Sequence, residues 1–282
     1  MAKTREVFVC PPTHAALTYS INPWMDLQVE FSAARAQEQW ETLIAGFREV
    51  GAGEVHVCPP KPGLTELCFF GDSVFLCEGK ALFGEFRHKE RKEERPYVQS
   101  WLEARGIRGR NVPAGTFFEG AGETVMWRDK ILFGFGRRSS EVVRHLLRQV
   151  FGKDTIDLEM ETAEFYHLDT AVFPISDDLI AYYPDAFGPI DRATLESLDC
   201  EKLLVTKRDA HAFACNSVMW GGVVFGHTGV LDLWPELRAR GIEVREFDLS
   251  EFKKLGGGLK CLTLQHYDAG AGGSRRFGAA PP

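Results

Sequence analysis

The stretch KKLGGGLKCLTLQ, Lys253 to Gln265, sets a triple glycine just ahead of Cys261 and an apolar run just behind it. A thiolate is a strong nucleophile. Glycines permit backbone angles and close approaches that other residues resist. Cys261 is therefore a candidate presented nucleophile, although a small core residue following a turn fits the same letters. In FYHLDTAVFP, His167 and Asp169 lie two residues apart. In a strand they share a face, where the pair can orient an imidazole, bind a cation or serve structure alone. Glu119 precedes a Gly-Ala-Gly turn in TFFEGAGETV. Asp72 interrupts the apolar run FFGDSVF, and an acid there must be paired or face a cavity. Asn22 precedes Pro23 in YSINPWMD, a turn-forming pair.

These residues punctuate a repeating pattern in which two short apolar runs joined by a tight turn are followed by an amphipathic helix and another strand. The turns are expected at Glu78-Gly79-Lys80, Arg128-Asp129, Ser176-Asp177-Asp178 and Gly221-Gly222. The helices follow in RPYVQSWLEARG, SSEVVRHLLRQVFG (with Ser139 or Ser140 as N-cap), DRATLESLD and WPELRARG. At the N-terminus, EVFVCPP, a long helix in AARAQEQWETLIAGFREVG and EVHVCPP form a partial fifth copy, which KCLTLQ completes from the other end. The pattern predicts an α/β fold with one closed ring of five ββαβ modules, each too small to bury its own core. An irregular α+β domain is the alternative. Residues 1–265 are expected to form a single domain, and 266–282, rich in Gly, Ala and Pro, a loosely held tail.

The composition narrows the partners. The 282 residues are 44% hydrophobic and 26% charged, with a net charge of −7. That balance argues against nucleic acid, which requires a concentrated basic surface. No apolar stretch reaches membrane-spanning length, and the first residues lack a signal-peptide core. The seven cysteines form no CxxC pair, so neither a zinc site nor a disulfide framework is signalled, and a reducing cytoplasm fits. The mixed-sign run RHKERKEERP, Arg87 to Pro96, reads as a solvated loop.

Taken together, and over nearly the whole chain, CPPTHAALTYSINPWMD, FFEGAGE, FYHLDT, FACN and GGGLKCLT resemble, in order, the motifs of the guanidino-group-modifying enzymes. These are the pentein family of five-bladed β/α propellers, and the similarity is to the bacterial branch of dimethylargininases, arginine dihydrolases and amidinotransferase-like proteins. The resemblance implies Cys261 as nucleophile, His167 as general acid and base, and Glu119 as the acid that orients and charges His167. It also implies Asp72 and Asp169 as acids gripping the guanidinium, Asn22 as part of the opening motif, and Arg138 as a carboxylate-binding residue. Neither metal nor organic cofactor is implied. The partner is a small guanidino compound, with a homodimer allowed.

Hydrolysis of arginine or an arginine-like compound through a covalent Cys thiouronium ranks first. Dimethylarginine hydrolysis, amidino transfer, a non-enzymatic pentein and a binding protein for cationic amino acids are the alternatives. Asp169 favours an unsubstituted guanidinium, whereas Asp72 stands where dihydrolases resemble one another in carrying Asn. Glu85 stands where the branch commonly shows an arginine, which raises an amine-headed substrate such as agmatine if its carboxylate faces the site. Glu123 replaces the usual Asp of the FEGAGD motif and adds a methylene.

Overall fold

The computed structural model describes residues 3–268. Its chain is built from one arrangement used five times. In the first unit, β1 (Lys3–Val9) leads to α1 (Ala33–Val50) and to β2 (Glu54–Val57), which pairs in parallel with β1. Helix α1 starts where the Ser32 side chain accepts the Arg35 N–H, and ends where Gly51 turns left-handed at φ 62. Ala36, Trp40, Leu43, Ile44 and Phe47 recur at helical spacing and are buried.

The second unit is the hairpin β3 (Val74–Cys77) and β4 (Lys80–Phe83), then α2 (Glu94–Glu103), then β5 (Gly109–Asn111) parallel to β4. The hairpin turns at Glu78-Gly79, both at positive φ (52 and 72), as a tight two-residue connection requires. The third has β6 (Thr124–Trp127), β7 (Lys130–Phe135), α3 (Val143–Phe151) and β8 (Thr155–Glu159). The fourth has β9 (Val172–Ser176), β10 (Leu179–Tyr182), α4 (Pro189–Glu196) and β11 (Glu201–Leu204). After the short helix α5 (Lys207–His211), the fifth has β12 (Val218–Trp220), β13 (Val223–His227), α6 (Leu233–Ala239) and β14 (Val244–Phe247).

The one-turn helix α7 (Ser250–Lys253) precedes β15 (Leu264–Asp268). β15 runs antiparallel to β1, with Phe8 opposite Leu264 and Val7 opposite Gln265. It thereby supplies the missing hairpin strand of the first unit. It also touches β3 at Tyr267 and Cys77, so the first two units share a six-stranded sheet, β2-β1-β15-β3-β4-β5. The other three units are separate three-stranded sheets. Apolar side chains fill the space between neighbouring units: Phe75, Leu82, Phe133, Val143, Leu147 and Phe151 pack together across the second and third.

Three expectations are corrected. The last strand continues to Asp268, so the boundary after Gln265 falls inside a paired strand; residues 269–282 of the expected tail lie outside the described residues. Helix α3 begins at Val143, and neither Ser139 nor Ser140 caps it. Their hydroxyls instead accept the N–H groups of Glu119 and Phe117. The charged run is not a solvated loop: α2 begins within it, and Arg91 and Glu94 are buried. Among the described residues no helix is long and apolar enough to cross a membrane.

Glu6 ties three strands together. Its carboxylate takes a 2.7 Å hydrogen bond from His266 Nδ1 on β15 and a 3.1 Å bond from His56 Nε2 on β2. The His266 Nε2 accepts the Gly79 N–H at the β3–β4 turn. Burial alone would raise the Glu6 pKa, but the two imidazoles hold it at about 2, below the ordinary 4.5. A depressed acid contributes stability that is full above its unfolded pKa and is lost as pH falls towards the folded one. Glu6→Gln should lower the thermal midpoint at pH 7. The gap to wild type should close between pH 4.5 and about 2, as measured by melts across that range.

Candidate active site

The segments that lead into the first strand of each unit carry the polar residues. Asp72 lies on a 3-10 turn, Phe70–Ser73, before β3. Glu119 caps the turn Gly120–Gly122 before β6, and His167 caps the turn Leu168–Thr170, which contains Asp169, before β9. Asn216 precedes β12, and Cys261 precedes β15. The turns pack against one another. The Gly71 N–H bonds the Cys261 carbonyl at 3.3 Å. A Cβ on Gly122 would sit 2.9 Å from Asp72 Oδ1 and 3.0 Å from His167 Nδ1, so these two atoms border one point. His167 and Asp169 are not strand neighbours as their spacing suggests; the tighter turn keeps both side chains buried at the head of β9.

His167 Nε2 donates a 2.8 Å hydrogen bond to Glu119 Oε2. Arg138 Nη1 meets the same oxygen at 3.1 Å. Burial would raise Glu119, but Arg138 and His167 hold it well below the carboxylate range. Burial would lower His167, but the bond to Glu119 and the charges of Asp72, Glu119 and Glu123 push it up to about 9. The imidazole is therefore a cation near neutral pH, ready to give up a proton. Glu123, whose Oε2 accepts the Leu168 N–H at 3.2 Å, steadies the His167 turn, and burial lifts it to about 8.

The Cys261 thiol donates to Asp169 Oδ2 at 3.3 Å and receives the Asn216 amide at 3.2 Å. Burial, then the charges of Asp169 and Asp72, raise its pKa well above the ordinary value. Asp169 is itself lifted to about 7 by burial and by Asp72, against the pull of His167. The triple glycine is forced by contacts: Gly256 has φ 83 and lies against the Asn22 side chain, and a Cβ on Gly258 would strike His227 and Asn216. Asn22 Nδ2 donates to the Leu255 carbonyl and Tyr166 to the Gly256 carbonyl, so Asn22 supports the cysteine turn.

Asp72 Oδ2 is paired with Arg91 Nη1 at 2.7 Å, and Arg91 also meets Glu94 at 2.8 Å and Glu66 at 3.3 Å. One buried guanidinium thus serves three buried acids. Burial raises Glu94 to about 8 and raises Glu66 as well. Asp72 Oδ1, Asp169 Oδ1 and Glu66 Oε1 are buried acceptors that find no donor among the described residues. Buried acceptors are nearly always satisfied, so these point to a ligand rich in N–H groups.

The structure does not bring Glu85 into this cluster. Its carboxylate pairs with Arg95 at 3.2 Å and Lys92 at 3.9 Å, and its backbone bridges Phe118. Arg138 spends its charge on Glu119 and on the Ile21 carbonyl at 2.9 Å, stacked on Tyr166. Arg91 and Glu94 escape sequence reasoning, since a run of mixed charges looks the same whether solvated or buried, and Glu66 lies outside every motif the sequence offers.

No protein-family model matches the chain. It is 34% identical over 263 residues to the N(G),N(G)-dimethylarginine dimethylaminohydrolase of Mycobacterium tuberculosis, covering 93% of this chain and 86% of that one. It is 33% identical over 270 residues to the bifunctional arginine dihydrolase/ornithine cyclodeaminase ArgZ of Synechocystis, covering 94% of this chain but 38% of the relative. The N-terminal domain of ArgZ, solved covalently bound to a reaction intermediate, superposes with a TM-score of 0.88 at 32% identity, over 92% of this chain and 97% of that one. The Pseudomonas aeruginosa dimethylargininase, at 16% identity, shares the fold with a TM-score of 0.80, over 93% of this chain and 99% of that one. On these similarities the chain is a cysteine-dependent hydrolase of guanidino carbon–nitrogen bonds. It belongs to the guanidino-group-modifying, or pentein, family.

Two outcomes follow from the electrostatics. Arg91→Leu leaves Asp72, Glu66 and Glu94 buried without their cation and should cost about 3–5 kcal/mol, read by denaturant unfolding. Glu119→Gln removes the charge that lifts His167. Its imidazole should then titrate below about 9 and nearer the ordinary 6.5, as followed by NMR.

Proposed function

We propose that this chain hydrolyses the guanidinium group of arginine or a closely arginine-like compound, with Cys261 as nucleophile, His167 as acid then base, and Glu119 as the group that charges and aims His167. The reading is supported above all by the two unpaired buried oxygens, Asp72 Oδ1 and Asp169 Oδ1, beside the Cys261 thiol. A planar cation with several N–H donors satisfies both and offsets their charge. Its arrival lowers the cost of ionising the thiol, because a neighbouring positive charge favours thiolate.

The sulfur then adds to the guanidinium carbon. The carbon–nitrogen bond breaks as the His167 imidazolium protonates the leaving amine, which leaves a thiouronium on Cys261. The neutral imidazole next takes a proton from water, the resulting hydroxide adds to the same carbon, and the carbon–sulfur bond breaks to return the thiolate. His167 thus gives one proton to the leaving amine and takes one from water, while the thiol proton leaves to solvent.

The Glu85 pairing with Arg95 removes the feature that raised an amine-headed substrate, so arginine ranks above agmatine. Dimethylarginine is the second reading, favoured by the Mycobacterium relative. We further infer that the five ββαβ units close into a single five-bladed ring with the pre-strand turns at its axis. A reducing compartment suits seven free cysteines.

The test is turnover of arginine, asymmetric dimethylarginine and agmatine by purified protein, with products identified by mass. Arginine should be consumed fastest. Cys261→Ser should lose about 10⁴-fold or more in kcat while still binding arginine. Faster turnover of dimethylarginine moves the assignment to that substrate, and an active Cys261→Ser protein removes the nucleophile.

A further inference from the structure

Among the five pre-strand segments, the one before β12 has no part in the scheme above, yet its Asn216 side chain is fully buried against the reacting sulfur. We propose that the Asn216 side-chain amide, together with the Gly258 backbone N–H, forms a two-donor pocket that stabilises the Cys261 thiolate. This rests on Cys261 being the nucleophile of the proposed reaction.

The amide cannot be turned the other way. Asn216 Oδ1 accepts the Lys260 N–H at 3.0 Å, which commits Nδ2 to the sulfur, 3.2 Å away. Against the rise that burial imposes, the Gly258 backbone lowers the thiol pKa, as a second donor would. The turn carrying Asn216 is fixed by the left-handed Phe213, at φ 64, and by the Asn216 N–H bond to the Phe213 carbonyl at 3.0 Å. His227 Nε2 accepts the Leu259 N–H at 3.1 Å, and the ring packs against Phe213 with centroids 5.6 Å apart. Burial holds that imidazole neutral, its pKa lowered to about 3. A neutral bridge therefore locks the asparagine turn to the cysteine turn.

The other groups facing the sulfur oppose its ionisation. Asp169 and Asp72 are acids, and Tyr166 is a buried phenol close enough to feel a charge on Cys261. Lys260, next in the chain, gives its ammonium to Gln265 and Tyr267. Asn216 and Gly258 are thus the donors set against two carboxylates. They suit a thiol that gives its hydrogen to Asp169 in the empty site. They suit equally a thiolate formed when a guanidinium enters and the thiol proton leaves to solvent, one positive charge replacing another. Once sulfur bonds to carbon, the sulfur loses its negative charge and the donors lose most of their hold. Their effect therefore falls on forming the nucleophile.

Asn216→Asp separates this role from support of the loop. It keeps an oxygen for the Lys260 N–H and replaces the donor with an acceptor. Iodoacetamide alkylation of Cys261, followed across pH by peptide mapping, should shift upward by about one unit or more in Asn216→Asp, and kcat for arginine at neutral pH should fall about tenfold or more. KM should stay within about threefold if binding is untouched. Asn216→Ala, which lacks both contacts, should shift the alkylation profile in the same direction, and it decides the matter if the aspartate variant does not fold. A folded variant with the wild-type alkylation profile and kcat overturns the role of Asn216 while leaving Cys261 as nucleophile. Turnover by Cys261→Ser instead overturns the nucleophile and this proposal with it.

Discussion

The buried centre holds more acid than base. Asp72, Asp169, Glu66, Glu94, Glu119 and Glu123 are all nearly inaccessible to water, and the cations buried among or beside them are Arg91, Arg138, His167 and Lys260. Charge taken out of water without a partner is costly, so every group in the cluster answers to that imbalance. Some acids rise towards neutrality, as Glu94, Glu123 and Asp169 do. Others are held ionised by close cations, as Glu119 is. The imidazole stays charged far above its ordinary range, and the thiol stays protonated. The resting site thus carries unmet charge, and in the proposed reaction both binding and activation draw on it.

The fold makes such crowding possible. Each site residue is delivered by a short segment entering the first strand of its unit, and five units supply five segments from far apart in the chain. Glycines at Gly71, Gly120 and Gly122 let these segments approach closely: a Cβ on Gly120 would strike the Gly71 carbonyl. Ser139 and Ser140 hold the Glu119 segment by its N–H groups. The sheets and helices around this centre are ordinary apolar packing, and they bear the cost of the charge at the middle.

Much of this can be read in the letters. Apolar runs broken by Glu78-Gly79 and Gly221-Gly222 announce hairpins, because those turns need positive φ. Asp72 and Cys261 are conspicuous as chemistry-bearing residues at the edge of apolar runs. What the letters hide is partnership. Arg91 sits in a run whose alternating signs fit solvent equally well, and its burial is set by Glu66, 25 residues earlier in the chain, and by Asp72. Glu85 looks poised to choose a substrate until α2 brings Arg95 to it. His167 and Asp169 have strand spacing, yet the chain tightens into a 3-10 turn there. For Arg91 and Glu85 the deciding contact is made by a residue outside the local window.

The pairing of β15 with β1 has a consequence for how the protein comes into being. A ribosome makes β1 before the other four units and the Cys261 turn and β15 after them, so the first unit waits for its partner strand while those four are made. The thiol is also the final member of the site to be synthesised. A nascent chain stopped short of Cys261 lacks both the strand that completes its opening sheet and the sulfur of the proposed reaction. Architectural completion and the candidate nucleophile are therefore carried by one short stretch of chain.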